Sequence, residues 1–172
     1  MMSIQPAITA TTDICDAYEH DLTGQQVRIL TPGLLSSFGG KENFSGTVRT
    51  LKLFEDNGLV RQTLSEPGHG SVLVVDGGGS LRYALLGDQL AAMAADQGWA
   101  GIIIWGCIRD CQSIAKTDLG VFAIGTHPLR TVKRGIGQRD VPVTFGGVTF
   151  IPGDWICADA DGVVVTSGIL EK

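Results

Sequence analysis

The stretch Leu85–Asp110, "LLGDQLAAMAADQGWAGIIIWGCIRD", sets a helix start, a buried strand, an arginine and an aspartate in one continuous run. In "GDQLAAMAADQG" the residues Leu90, Met93, Ala94 and Gln97 fall one turn apart, and Gly98 suits a helix terminus. The apolar, β-branched run "AGIIIWGC" that follows reads as a strand covered on both faces. Upstream, "GSVLVVDGGGS" is a second such run, ending at Asp76 and three glycines as a strand entering a tight turn does. Strand, helix and strand in that order predict an α/β unit with a parallel sheet.

Outward from this unit the pattern changes. "FSGTVRTLKLF", Phe44 to Phe54, alternates as a strand, and "TDICDAYEH", residues 12 to 20, reads as a short helix that Thr12 or Asp13 could cap. "GVFAIG" is a further short strand, and "VPVTFGGVTFIPGDWICADADGVVVT" reads as several strands joined by Gly and Pro turns. The middle is therefore expected to be α/β and the end mostly β, in one domain spanning residues 1–172, with residues 1–11 a flexible N-terminal segment. "FGG" occurs at Phe38–Gly40 and Phe145–Gly147, but the flanks do not continue the match, so no repeat is read.

Composition narrows the function. A chain of 172 residues, 44% hydrophobic, can bury one sizeable core. Its 13 Lys and Arg against 18 Asp and Glu leave a net charge of -5, without a basic stretch to track phosphates, so direct nucleic-acid binding is not expected. "MMSIQPAITATTDICDAYEHD" lacks the basic start and apolar run of a signal peptide, and no segment approaches the roughly 18 apolar residues of a membrane span. A soluble, cytoplasmic protein is expected. Cys15, Cys107, Cys111 and Cys157 form no CxxC pair and read as reduced, mostly buried thiols; His20, His69 and His127 are too scattered for a His-based metal site. No GxSxG, GxGxxG or GxxxxGK motif is present. "LRTVKRG", with Arg130, Lys133 and Arg134, reads as a solvated loop, Trp99, Trp105 and Trp155 as core or interface anchors, and Asp154 in "PGDW" as a turn residue.

The chemistry concentrates in the opening stretch. A helix N-terminus carries unpaired N–H groups and partial positive charge, so Gly87, Asp88, Gln89 and Leu90 can hold a carboxylate, with Gly87 allowing close approach. A crossover brings Arg109 and Asp110, at the strand's C-terminal end, to the same rim, and Asp76 with Gly77 to Gly79 is expected there too. A guanidinium grips a carboxylate or enolate oxygen in a fixed fork, and a single carboxylate among waters anchors Mg²⁺. A 2-oxo acid could chelate such a metal and pass through an enolate as its C3–C4 bond breaks, by retro-aldol cleavage or loss of CO₂. The same residues also arise without chemistry: an Arg-Asp pair as a surface ion pair, a Gly before a helix as a turn. Asp88 is a first-turn or capping acid, or else the holder of a water that shuttles a proton.

"VLVVDGGGSLRYALLGDQLA", "GWAGIIIWGCIRD", "DLGVFAIGTHPLRTVKRGIG" and "DVPVTFGGVTFIPGDWICADADGVVV", with "SFGGKENFSGTVRTLKLFEDNGLV" upstream, resemble the family that joins the regulator of ribonuclease activity A (RraA) with the 4-hydroxy-4-methyl-2-oxoglutarate aldolases, the class II pyruvate aldolases. The resemblance covers nearly the whole chain after Thr12. It implies an RraA-like swivelling β/β/α sandwich, a homotrimer or dimer of trimers, and a Mg²⁺- or Mn²⁺-dependent lyase. That lyase cleaves 4-hydroxy-4-methyl-2-oxoglutarate to pyruvate and also decarboxylates oxaloacetate. Position by position it implies that Gly87, Asp88, Gln89 and Leu90 bind substrate through backbone, that Arg109 binds substrate, and that Asp110 holds the metal. One position departs: where aldolase members usually carry an acid three residues after the metal aspartate, this chain has Ser113. Two readings follow. One is the lyase, with Arg109, Asp110 and Asp88 as catalytic residues; the other is a non-catalytic regulator that binds and inhibits ribonuclease E, to which an acidic protein offers charge complementarity.

Overall fold

The computed structural model describes residues 10–19 and 26–169, so His20 and most of the N-terminal segment expected to be flexible lie outside the described residues. In chain order the elements are α1 (Thr11–Ala17), β1 (Val27–Ile29), β2 (Ser36–Ser37), β3 (Phe44–Lys52), α2 (Gly58–Leu64), β4 (Val72–Asp76), β5 (Ala84–Leu86), α3 (Asp88–Asp96), β6 (Gly101–Ile108), α4 (Cys111–Ile114), β7 (Gly120–Thr126), β8 (Gln138–Arg139), β9 (Val143–Phe145), β10 (Val148–Phe150), β11 (Trp155–Asp159) and β12 (Gly162–Thr166). The fold is the mixed α/β architecture that the sequence predicts.

β3 organises it. Its first residues, Phe44 to Thr47, pair antiparallel with β11, while Val48 to Lys52 pair parallel with β4. From there the sheet runs parallel through β6 to β7 on one side, and antiparallel through β12 to β1 on the other. The strand thus passes from one β layer into a second.

Side-chain alternation assigns the layers. In β4 and β6, Leu73, Val75, Ile102 and Ile104 face the helices and pack with Leu59, Val60, Leu64, Leu90, Ala91 and Ala94. Val72, Val74 and Ile103 face the other way, against Phe145, Phe150, Ile156 and Val165 of the second β layer. Every one of these residues is buried, which is why the two strands are apolar without alternation.

Several expectations are corrected. The N-terminal helix starts at Thr11, not Thr12; Ala10 occupies the cap position and makes no side-chain cap. The carboxylate comes instead from across the chain, where Asp159 accepts the Thr11 N–H at 2.9 Å and the Thr11 hydroxyl at 2.7 Å. On α3 the buried face is Leu90, Ala91 and Ala94, while Met93 is only partly covered and Gln97 is exposed. Asp154 is more than a turn residue: it is buried and accepts from Arg28 at 2.8 Å and from the Ile151 N–H at 2.9 Å. None of the four cysteines forms a disulfide, and only Cys107 and Cys157 are buried, with Cys111 exposed.

Candidate active site

β5 and β6 run parallel and finish together, Leu86 pairing with Ile108, and the Arg109 N–H closes the edge on the Leu86 carbonyl at 2.9 Å. Each strand then delivers its functional residues to one spot. β5 leads through Gly87 into the N-terminus of α3, and β6 leads into Arg109 and Asp110. Asp110 turns the chain into α4 with a left-handed backbone, φ 58° and ψ 37°, a conformation that short polar side chains tolerate better than most.

The contacts are close. Asp110 Oδ2 accepts the Asp88 N–H at 3.2 Å, and Arg109 Nε lies 3.7 Å from the same oxygen. Asp88 itself accepts the Gln89 N–H at 2.8 Å, so it is a first-turn acid, and the two carboxylates already occupy N–H groups at the helix start. Gly87 lets the Asp110 carboxylate approach closely, because a Cβ there would stand 2.8 Å from Asp110 Oδ2 and the carboxylate would have to shift. These residues line one cavity of about 120 Å³, together with Asn57, Arg61, Arg130 and Lys133. The six positions expected to bind substrate or metal, Gly87, Asp88, Gln89, Leu90, Arg109 and Asp110, are all in its lining.

Other placements differ. Asp76 and Gly77 to Gly79 are absent from that lining, because the Gly77 and Gly79 N–H groups turn back onto the Trp105 carbonyl, each at 3.1 Å, and Gly78 donates to Asp76. Ser113 is exposed on α4 and does not line the cavity. Arg130 and Lys133, read as a solvated loop, are exposed but border the cavity, since the Ala84 N–H donates to the Leu129 carbonyl at 2.7 Å and draws that segment alongside β5. Asn57 was not singled out at all. It is 7% exposed, and its Oδ1 is buried without a hydrogen-bond partner while the residue borders the cavity. An arginine and an asparagine flanking "GLV" carry no signal of their own; only the tertiary approach of α2 to α3 reveals them.

Asp110 is the residue of this site that could hold a divalent cation. Among the described residues no cluster of three His, Cys, Asp or Glu could enclose a metal. Asp110 nevertheless offers a half-exposed carboxylate, whose Oδ2 takes the Asp88 N–H while its side chain caps nothing on α4. A hydrated cation, which keeps most of its waters, needs one such carboxylate.

A cavity with an arginine, a carboxylate and a helix N-terminus at the end of parallel strands, lined further by cations, has the donors and charge to meet a small anion. Residues 11–165 match the family described as RraA-like, Aldolase/RraA, and the chain belongs to that family. A relative in Halorhodospira halophila, provisionally named 4-hydroxy-4-methyl-2-oxoglutarate aldolase, is 58% identical over 157 residues, covering 91% of this chain and 94% of its own. One in Pseudomonas fluorescens with the same provisional name is 56% identical over 161 residues, covering 94% and 95%. Among solved structures, the RNA-processing inhibitor RraA from Thermus thermophilus superposes with a TM-score of 0.87 at 43% identity over 94% of each chain. A Geobacillus kaustophilus protein described as an S-adenosylmethionine:2-dimethylmenaquinone methyltransferase gives the same TM-score at 48% identity, covering 92% and 95%. The fold is therefore the RraA fold.

Proposed function

We propose that the protein is a divalent-metal-dependent lyase that cleaves 4-hydroxy-4-methyl-2-oxoglutarate to pyruvate and also decarboxylates oxaloacetate. The observation that carries this reading is the convergence of Arg109, Asp110 and the Gly87–Leu90 helix start on one cavity whose other wall is cationic. The provisional aldolase names of its relatives support it.

The head of a 2-oxo acid would meet Arg109 and the part of the helix start that Asp88 and Asp110 do not already occupy, and a second carboxylate would lie toward Arg61, Arg130 and Lys133. Asp110 would hold Mg²⁺ or Mn²⁺, which when bound supplies Lewis acidity to the 2-oxo group. When the C3–C4 bond breaks, its electron pair passes to C3 and on to the C2 oxygen, and Arg109 stabilises that oxyanion. In the aldol cleavage the C4 hydroxyl loses its proton and the C4 fragment leaves as pyruvate; in the decarboxylation C4 leaves as CO₂. Both leave the same enolate, which a proton at C3 converts to pyruvate. Asp88, exposed on the first turn beside Asp110, is placed to hold the water that carries protons to and from the substrate.

Pyruvate release from either substrate should require the added metal, and Asp110→Ala should reduce it at least about a thousandfold. A variant as active as the parent would remove Asp110 from the metal role. A second reading, a regulator that binds ribonuclease E, is favoured by the 43% identical structural neighbour described as an RNA-processing inhibitor. A pull-down with that enzyme's protein scaffold at low and raised salt tests it; no capture at low salt refutes it.

A further inference from the structure

We propose that Asp56, outside the cavity, is the positioning residue for its cationic wall, fixing where Lys133 stands and so governing recognition of a ligand's far carboxylate. This rests on the 2-oxo acid reading above.

Asp56 is 4% exposed, and among the described residues no salt bridge balances its charge. Backbone N–H groups do so instead. Gly58 donates to Oδ1 at 2.9 Å, Gly135 to Oδ1 at 3.1 Å and Ile136 to Oδ2 at 3.0 Å, while the Arg134 N–H is shared between the two oxygens at 3.1 and 3.2 Å. A buried carboxylate held this way is tolerated because each lone pair meets a donor. The packing around it is tight, since a Cβ on Gly58 would stand 2.5 Å from Gly135 N. Two further ties bracket the segment: the Asn57 N–H donates to Thr131 Oγ1 at 3.0 Å, and Asp56 forms a β-bridge with Val132. Lys133 therefore sits between a bridge and the first residue of the clasp, whereas Arg130 is tied to β5 by its own bridge to Ala84.

Arg109 and Asp110 hang from other bonds, to Leu86 and Asp88. Loss of the clasp should therefore separate the two halves of the site. Asparagine at position 56 keeps the shape but offers one acceptor oxygen and turns an NH₂ toward N–H donors, so the segment 134–136 loses partners.

The test is calorimetric titration of the Mg²⁺-loaded protein with oxalate, which fills only the head site, and with 2-oxoglutarate, which adds a far carboxylate. Asp56→Asn should weaken 2-oxoglutarate about tenfold and leave oxalate within about twofold. Thr131→Val, a milder loosening, should give the same split at about threefold, and it decides the matter should Asp56→Asn not fold. With a folded parent that binds both ligands, equal weakening of both, or no change in either, overturns the positioning role alone. A parent that binds neither overturns the 2-oxo acid reading and this inference with it.

Discussion

At the scale of single residues, Gly87 is the most exacting position of the site. Gly87→Ala would press a methyl against Asp110 Oδ2 and Arg109, so catalytic efficiency should fall about tenfold or more while the thermal midpoint stays near that of the parent. A variant with parental kinetics would show that the pair can yield. Asp154 is exacting for stability instead. Its partner Arg28 is partly covered and its Nε is already unpartnered, so Asp154→Ala should cost about 1–3 kcal/mol in urea unfolding, because only the Thr149 carbonyl would remain to meet the guanidinium. The acid side of the stability curve has a definite sign. Burial pushes the Asp56 carboxyl up, and the N–H groups of Ile136, Gly58, Gly135 and Arg134 more than offset it, leaving it below the ordinary aspartate value. Burial also opposes Asp159, which the Thr11 N–H and hydroxyl bring down, and the Arg139 hydrogen bond lowers Glu66. Folded values below the unfolded ones mean that this stability is present above the ordinary carboxylate range and lost as the pH falls through the lowered values. A melting temperature that rises on acidification into that range would contradict it. The sequence shows Gly87, Arg109 and Asp110 because helix-start and strand-end signals are local; it hides Asn57 and Asp56, whose roles depend on a segment more than 70 residues away.

At the scale of elements, β4 and β6 are legible because burial on both faces leaves an unbroken apolar run. α2 is not, since "GLVRQTL" has only two turns and no cap, and its helical state comes from packing Leu59, Val60 and Leu64 on the sheet. The two faces of β6 can be tested separately. Ile104→Ala opens space under the helices and Ile103→Ala between the β layers, and each should cost about 2–5 kcal/mol because both are fully buried. The site should respond only to Ile104, which shares its packed layer with Leu86 and Leu90. Equal loss of activity in both, at matched stability, would mean the layers are not separable in this way.

For the whole molecule, half of the large apolar residues exposed among the described residues gather near the cationic wall. Phe54, Leu129, Val132 and Ile136 are each more than half exposed, and Phe54, Val132 and Ile136 border one recess. Such a surface beside the site suits the trimer that the family resemblance implies. Light scattering should give a trimer or its double, and Val132→Glu should release monomers; a parent monomeric at micromolar concentration would rule the assembly out. Among the described residues no helix is long and apolar enough to cross a membrane.

β3, shared between the two layers, also fixes an order of events during synthesis. A chain that has left the ribosome only as far as residue 130 can assemble the parallel side, yet Phe44 to Thr47 have no partner until Trp155 to Ala158 emerge. Until then one strand edge of the nascent protein is bare, open to pairing with a neighbouring chain. The clasp on Asp56 is likewise incomplete at that point, for its donors at 134–136 have not yet emerged. The last quarter of the polypeptide therefore seals the sheet and completes the site.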